Sequence, residues 1–368
     1  MDLNSLLETM VRERASDLFL KTDAPPALRV DGWLRRLVGS DGNPAAAFGK
    51  GHMQQVLDLV LDERDRKLFD STGEADAAYE LEGVGRFRVN AFRQRGRIGF
   101  VFRHIPRIIP TLDQLQLPSE QLKKLCERQR GLVLITGVAG SGKSTCLAAM
   151  VDHINTNFRR HIVTVEDPIE FVHDDKLSVI EQRELGIDTQ SFSTALKHCV
   201  RQSPDVILIG EMRDRETMDA AINAAETGHL VLSMLHTVNA VQTVERIIGY
   251  FPPHLHDLIR LQLAMVLEGA VSLRLLRRRD GPGRVPAAEV LIGTPTVREL
   301  LQQGRTRQIP VALREGAYFG TMSFGQSLRK LLDDRVITEE EALGAADNPE
   351  ELRMELKGIT RGGDLRLR

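Results

Sequence analysis

Residues Gly137 to Thr145 read Gly-Val-Ala-Gly-Ser-Gly-Lys-Ser-Thr. This run fits G-x-x-x-x-G-K-[ST]. No other stretch constrains the fold as much, because the pattern needs a buried strand before it and a helix start after it. Leu132-Val133-Leu134-Ile135-Thr136 precedes it, a short apolar run typical of a buried parallel strand. Leu147, Met150, Val151 and Ile154 follow at helical spacing. Glycines let the backbone curl until successive N–H groups converge into an anion nest. The helix adds unpaired N–H groups and the positive end of its dipole. Gly137, Gly140, Ser141, Gly142, Lys143, Ser144 and Thr145 therefore read as a phosphate-binding loop. Lys143 would reach the β- and γ-phosphates of ATP, and the Ser144 hydroxyl would ligate the accompanying Mg²⁺.

Bulk properties limit the alternatives. A chain of 368 residues, 42% of them hydrophobic, is long enough for two or three domains with real cores. The net charge of −2 offers no global basic field to nucleic acid. Cys126, Cys146 and Cys199 are scattered, which points to a reducing compartment with neither disulfides nor zinc. The N-terminus shows no leader pattern, and no uncharged apolar stretch reaches the ~18 residues of a membrane span. The expectation is a cytoplasmic protein without membrane insertion, able to dock on a membrane complex.

Along the chain, residues 1–104 read as an α+β domain with an antiparallel sheet. Leu3, Leu6, Leu7, Met10 and Val11 form a helical stripe; 17–20 and 27–30 read as strands, the second closed by Asp31-Gly32. Residues 53–69 look helical, and 85–92 and 98–103 read as further strands. Residues 105–112, with Pro106 and Pro110, read as a linker. In 113–346, strands at 132–136, 162–165, 206–209 and 230–235 alternate with helices, which predicts a mostly parallel α/β sheet. From about Asn239 to 346 the pattern reads as largely helical, and 347–368 as a frayed tail.

Other clusters sit at strand ends. Val206-Ile207-Leu208-Ile209-Gly210-Glu211 ends an apolar strand in an acid, which in phosphate-loop enzymes helps hold Mg²⁺ or its water. Ile162 to Glu170 ends a strand in Glu166, Asp167 and Glu170 around Pro168. Glu166 there reads either as a base for the attacking water or as part of a solvated turn. His229 and His236 flank 230–235; separated by a whole strand, they cannot share a metal, and each reads as a packed residue or a polar contact. Arg86, Arg88, Arg93, Arg95, Arg97 and Arg103 crowd the N-terminal sheet. They read as a solvated face, a nucleic-acid patch or arginine fingers for a transferring phosphoryl group.

Taken in order, these motifs resemble the type IV pilus retraction ATPases, the PilT/PilU family within the secretion ATPase superfamily. Ala15-Ser16-Asp17-Leu18 with Arg29-Val30-Asp31-Gly32 is similar to the family's N-terminal domain, and Gly85 to Asn90 to its arginine strand. Glu166 to Glu170 resembles its Asp box, Gly210 to Asp214 its Walker B, and Ala225 to Thr237 its His box. The resemblance implies a PAS-like N-terminal domain on a RecA-like P-loop ATPase domain, a homohexameric ring, and ATP bound between the domains. It implies Glu166 as the residue that activates water, Glu211 as the metal acid, and His229 as a nucleotide-positioning histidine. Arg88 and Arg103 would approach the γ-phosphate. The implied partners are other copies of the chain, an inner-membrane platform protein of the pilus and a paralogous retraction ATPase, at the cytoplasmic base of the pilus.

The implied function is a motor for pilus retraction and twitching motility. Two alternatives are an accessory ring acting through an active paralogue and a type II secretion-type ATPase. Three scattered cysteines cannot build the four-cysteine zinc insertion usual in the secretion and extension enzymes. Thr294-Pro295-Thr296-Val297-Arg298-Glu299-Leu300-Leu301 stands where the retraction enzymes carry AIRNLIRE, a partial match. Val138-Ala139 and Ser233-Met234 depart from the usual Pro-Thr and Gly-Thr.

Overall fold

The structure, a computed structural model, describes residues 2–30, 32–39, 42–105, 108–281 and 283–357. The chain divides into two compact units between Ile108 and Ile109. The expected turn residue Asp31, the linker residue Pro106 and the last residues of the tail, 358–368, lie outside the described residues.

The first unit runs α1 (Leu3–Arg12), β1 (Asp17–Lys21), β2 (Ala27–Val30), β3 (Trp33–Arg36), α2 (Lys50–Val60), α3 (Glu63–Thr72), β4 (Glu74–Leu81), β5 (Gly85–Gln94) and β6 (Arg97–Ile105). Among the described residues its strands form one antiparallel sheet ordered β3-β2-β1-β6-β5-β4. Period-two alternation sends Phe87, Val89 and Ala91 of β5 and Phe100 and Phe102 of β6 into a core with Leu6, Leu7, Met10 and Phe69. Polar residues take the opposite face. The helix expected at 53–69 is broken at Leu61-Asp62, where the Asp62 carboxylate caps a new helix by accepting from Asp65 N–H.

The second unit runs α4 (Ser119–Cys126), β7 (Gly131–Gly137), α5 (Lys143–Asn157), β8 (His161–Glu166), β9 (Val179–Glu184), α6 (Phe192–Cys199), β10 (Val206–Ile209), α7 (Arg215–Glu226) and β11 (Leu230–Leu235). It continues with α8 (Ala240–Gly249), α9 (His256–Val266), β12 (Leu267–Arg277), β13 (Arg284–Ile292), α10 (Pro295–Gln302), α11 (Ile309–Glu315), α12 (Phe324–Asp333), α13 (Glu339–Ala345) and α14 (Pro349–Leu356). The sheet order is β13-β12-β7-β11-β10-β8-β9, parallel except for β13 at one edge. This is the mostly parallel α/β sheet that the alternating pattern predicts, and the RecA-like arrangement that the family resemblance implies.

Strand β7 is buried along its whole length. Its Leu132 and Leu134 feed a core under α7 to α10, while Val133 and Ile135 feed a second core under α5 on the other face. Two covered faces explain why the strand is apolar throughout rather than alternating.

Two expectations are amended here. Residues 239–346 are largely helical but also contain the long strands β12 and β13; Leu267 to Leu276 is buried along most of its length and continues directly from α9, so its boundary with the helix is not marked in the sequence. Gly269 permits this strand; a Cβ there would lie 2.9 Å from the Leu125 side chain and 3.2 Å from Leu291 O. The described part of the expected frayed tail is helical. Asn348 caps α14 by accepting from Glu351 N–H, Pro349 opens it, and Leu352 is buried. The Arg274 guanidinium lies over the Phe324 ring and bonds Ala345 O and the Asp347 carboxylate, so these helices are tied to β12.

Candidate nucleotide site

Parallel pairing in register brings four strand ends level. Thr136 of β7 pairs with Leu235 of β11, and Ile209 of β10 pairs with both Ser233 and Val165. The residues that follow each strand therefore collect along one edge of the sheet, the ligand-binding edge of open α/β folds.

The phosphate loop leaves β7 at Gly137 and enters α5 at Lys143. Gly137, Gly140 and Gly142 have φ of +147°, +75° and +93°. At Gly137 a side chain has no room, since a Cβ would lie 2.4 Å from Ser141 Oγ and 2.6 Å from Leu273 O. Ser141 Oγ is buried and has no hydrogen-bond partner. Ser144 and Thr145 occupy the first turn of α5. Lys143 is nearly buried, and its ammonium donates to Gly137 O at 3.0 Å and Val138 O at 2.9 Å. Desolvation lowers its pKa, partly offset by the charges of Glu211 and Glu170. The departures at 138 and 139 cost the loop nothing here, because it uses the Val138 carbonyl while the side chain is exposed.

His236 follows β11 and links the loop to the acid. Its Nδ1 lies 3.3 Å from Lys143 Nζ and its Nε2 lies 3.3 Å from Glu211 Oε1. A neutral ring with the proton on Nε2 satisfies both, accepting from the lysine and donating to the glutamate. The other Glu211 oxygen takes Arg213 Nε at 2.8 Å, and Arg213 Nη1 stands 3.7 Å from Asp167. Ser233, one of the unusual residues before His236, is buried and donates to Ile209 O at 2.8 Å.

Glu166 ends β8. Its Oε1 accepts from Thr164 Oγ1 at 2.7 Å and from Gln182 Nε2 at 3.2 Å. Desolvation dominates, and its pKa is pushed up to about 7 despite these donors. Gly210, just before Glu211, allows the two strand ends to approach; a Cβ there would lie 3.1 Å from Glu166 Cα.

The structure does not bring His229 to this edge. It begins β11, where its carbonyl accepts from Gly131 N–H at the start of β7, and its Nδ1 donates to Ala224 O at 2.9 Å. The physical reason is strand length. Seven residues at ~3.3 Å each carry His229 about 20 Å from His236, to the opposite end of the sheet. His236, Arg213, Thr164 and Gln182 are the contacts that the assignment of site residues missed. Position past the last apolar residue of a parallel strand was the available signal for His236.

Arg88 and Arg103 belong to the first unit. They are Cα partners across β5 and β6, and Asp17 pairs with Arg103 and Arg29 across the neighbouring strands. The buried Asp17 carboxylate takes Arg103 Nε at 2.9 Å and Arg29 Nε at 3.3 Å, while Arg88 stands 3.9 Å from Asp76.

The donor set fits Mg²⁺ held chiefly through substrate phosphates. The Ser144 hydroxyl and Glu211 carboxylate would supply oxygen ligands, and no cluster of three His, Cys, Asp or Glu among the described residues forms a protein cage. No described helix is long and apolar enough to cross a membrane.

A glycine loop, its lysine and two strand-end carboxylates on a RecA-like sheet define a P-loop ATPase. The chain belongs to the Type II/IV secretion system protein family, whose model matches residues 1–305. It is 42% identical to the type IV pilus ATPase PilU of Pseudomonas aeruginosa, over 97% of this chain and 92% of the relative. It is 41% identical to the type IV pilus retractation ATPase PilT of the same organism, over 95% and 99%. A crystal structure of the pilus retraction motor PilT with bound ADP matches it with a TM-score of 0.88 at 39% identity, covering 96% of this chain and 99% of that one.

Proposed function

We propose that the chain is a pilus retraction ATPase that works as a homohexamer, turning ATP hydrolysis into withdrawal of pilin subunits through an inner-membrane platform protein. The observation that carries the catalytic part is the contact chain Lys143–His236–Glu211 at the phosphate loop. Lys143 rests on two loop carbonyls; a triphosphate offers its ammonium a better partner and restores the charge that desolvation disfavours. The convergent N–H groups of the loop and α5 bind the phosphate oxygens. Glu166 takes the proton of the attacking water, and a pKa near neutrality suits a base that must also release that proton. Ser144 and Glu211 would hold Mg²⁺, which would neutralise charge on the β- and γ-phosphates. Glu211 must first exchange its contacts with His236 and Arg213.

Arg88 and Arg103 are the arginines offered to the transferring phosphoryl group. With Arg29 they put three guanidinium groups against one buried carboxylate and one distant one. Facing like charges disfavour each other, and an anion relieves them.

Glu166→Gln tests the assignment. Hydrolysis by the purified protein should fall ~10²–10⁴-fold with ATP still bound. Cells carrying the variant should extend pili that do not retract. A variant that hydrolyses ATP at the wild-type rate removes Glu166 from the mechanism.

A further inference from the structure

Glu166 takes donors from outside its own strand: the Glu170 N–H of the loop that follows it, and a side chain on β9 that is itself fastened to that loop. Gln182 stands on edge strand β9, paired in parallel with β8. Its Nε2 donates to Glu166 Oε1 at 3.2 Å and to Phe171 O at 2.8 Å. Its Oε1 accepts from His173 N–H at 2.8 Å. Both amide protons and the carbonyl are used, so the amide cannot flip without breaking a contact to backbone. Two residues on, Glu184 Oε2 accepts from Ile169 N–H at 3.2 Å, and Leu185 N–H donates to Glu166 O at 2.8 Å. Strand β9 thus holds the loop at Ile169, Phe171 and His173, and one of the two side chains that do so, Gln182, also holds the base.

We infer that Gln182 is a positioning residue for Glu166, aiming its carboxylate and coupling it to the backbone of the 167–173 loop. The inference rests on reading Glu166 as the base. A glutamate's last torsion is broad and nearly two-fold, so without fixed donors the carboxylate samples many orientations. Thr164 supplies one donor from two residues back on the same strand. Gln182 supplies the second on the same oxygen, which sets the plane of the group. It also favours the ionised form, because both donors bond the charged oxygen. Glu170 of the loop is the charged group that acts on Glu166; Asp167 is next in sequence, and Glu184 is its register partner on β9. The Glu170 charge works against ionisation, and the neutral donors from Thr164, Gln182 and the Glu170 N–H support it. His173 lies in the loop, and its burial lowers its pKa to about 4, so it brings no charge at neutral pH.

The test is the pH profile of kcat for Gln182→Met and Gln182→Glu in the full chain, beside Glu166→Gln. Losing a donor to the charged form raises the pKa of the base. The acid limb should move up by about one pH unit, an approximately fivefold loss at pH 7 that is recovered near pH 9. The KM for ATP should stay within about twofold. Gln182→Glu should shift the same limb, because a second carboxyl beside Oε1 must share a proton with it. It keeps the length and the acceptor for His173 N–H, and so carries the test if the methionine variant does not fold. A folded variant with a wild-type limb, or with kcat lowered equally at every pH, overturns the inference. Glu166→Gln separates the two readings: if it hydrolyses ATP normally, the base assignment fails whatever Gln182 does.

Discussion

The two histidines flanking β11 make opposite predictions. His236→Ala removes the contact to Lys143 Nζ and the contact to Glu211, both at 3.3 Å. Each is long but made to a charged group, where a hydrogen bond contributes ~1.5–3 kcal/mol. Taking the low end, and allowing that the two share one ring, the loss is ~2–3 kcal/mol, or about 30- to 150-fold in kcat/KM. His229→Ala instead deletes a neutral bond from Nδ1 to Ala224 O near the end of α7. That is worth ~1 kcal/mol of stability, a shift in melting temperature of about 2–4 °C for a domain this size. The assay is steady-state ATP hydrolysis by the two purified variants, with thermal melting of each. The expected pattern is one inactive variant of normal stability and one active variant slightly less stable. If His229→Ala loses hydrolysis as severely as His236→Ala while melting normally, the placement of the nucleotide-contacting histidine at the end of β11 is refuted.

Two further outcomes follow from packing. Gly137→Ala places a methyl within van der Waals distance of Ser141 Oγ and Leu273 O at a φ that side chains rarely adopt. The cost should be ~1–3 kcal/mol by chemical denaturation, and loss of ADP binding should accompany it. A variant that binds ADP normally would show that the loop relaxes freely. Asp347→Asn weakens the charge-assisted contact through which Arg274 holds α14, and Arg274 also donates to Val238 O, two residues past His236. The C-terminal helices should become more accessible to protease, with a stability loss of about 1 kcal/mol because Asp347 is partly exposed. Unchanged cleavage would mean that stacking on Phe324 suffices.

How much of this was legible in the sequence follows from burial. Strands β7, β8, β10 and β11 are covered on both faces, so each is an apolar run, and each ends in a glycine, an acid or a histidine. The phosphate loop, Glu166 and Glu211 could be placed at one edge because those runs were visible. Strand β9 could not: Val179-Ile-Glu-Gln-Arg-Glu is a polar edge strand with no hydrophobic signal, and with it Gln182 was missed. Strand β12 failed for the opposite reason. Buried along most of its length, it runs straight on from α9 with no turn residue to mark the boundary.

The two histidines pose a question of another kind. The strand 230–235 was recognised, and so was the tendency of parallel sheets to bind ligands at the carboxyl ends of their strands. That rule, applied to Glu166 and Glu211, selects the residue after the last apolar position, and on β11 that residue is His236. A family motif spanning both histidines named a box, while strand direction names an end. In a parallel sheet the direction of every strand is set once the direction of β7 is known, and the glycine loop reveals that by standing at its C-terminal end. The sequence therefore held enough to prefer His236, through the polarity of the sheet rather than through the motif.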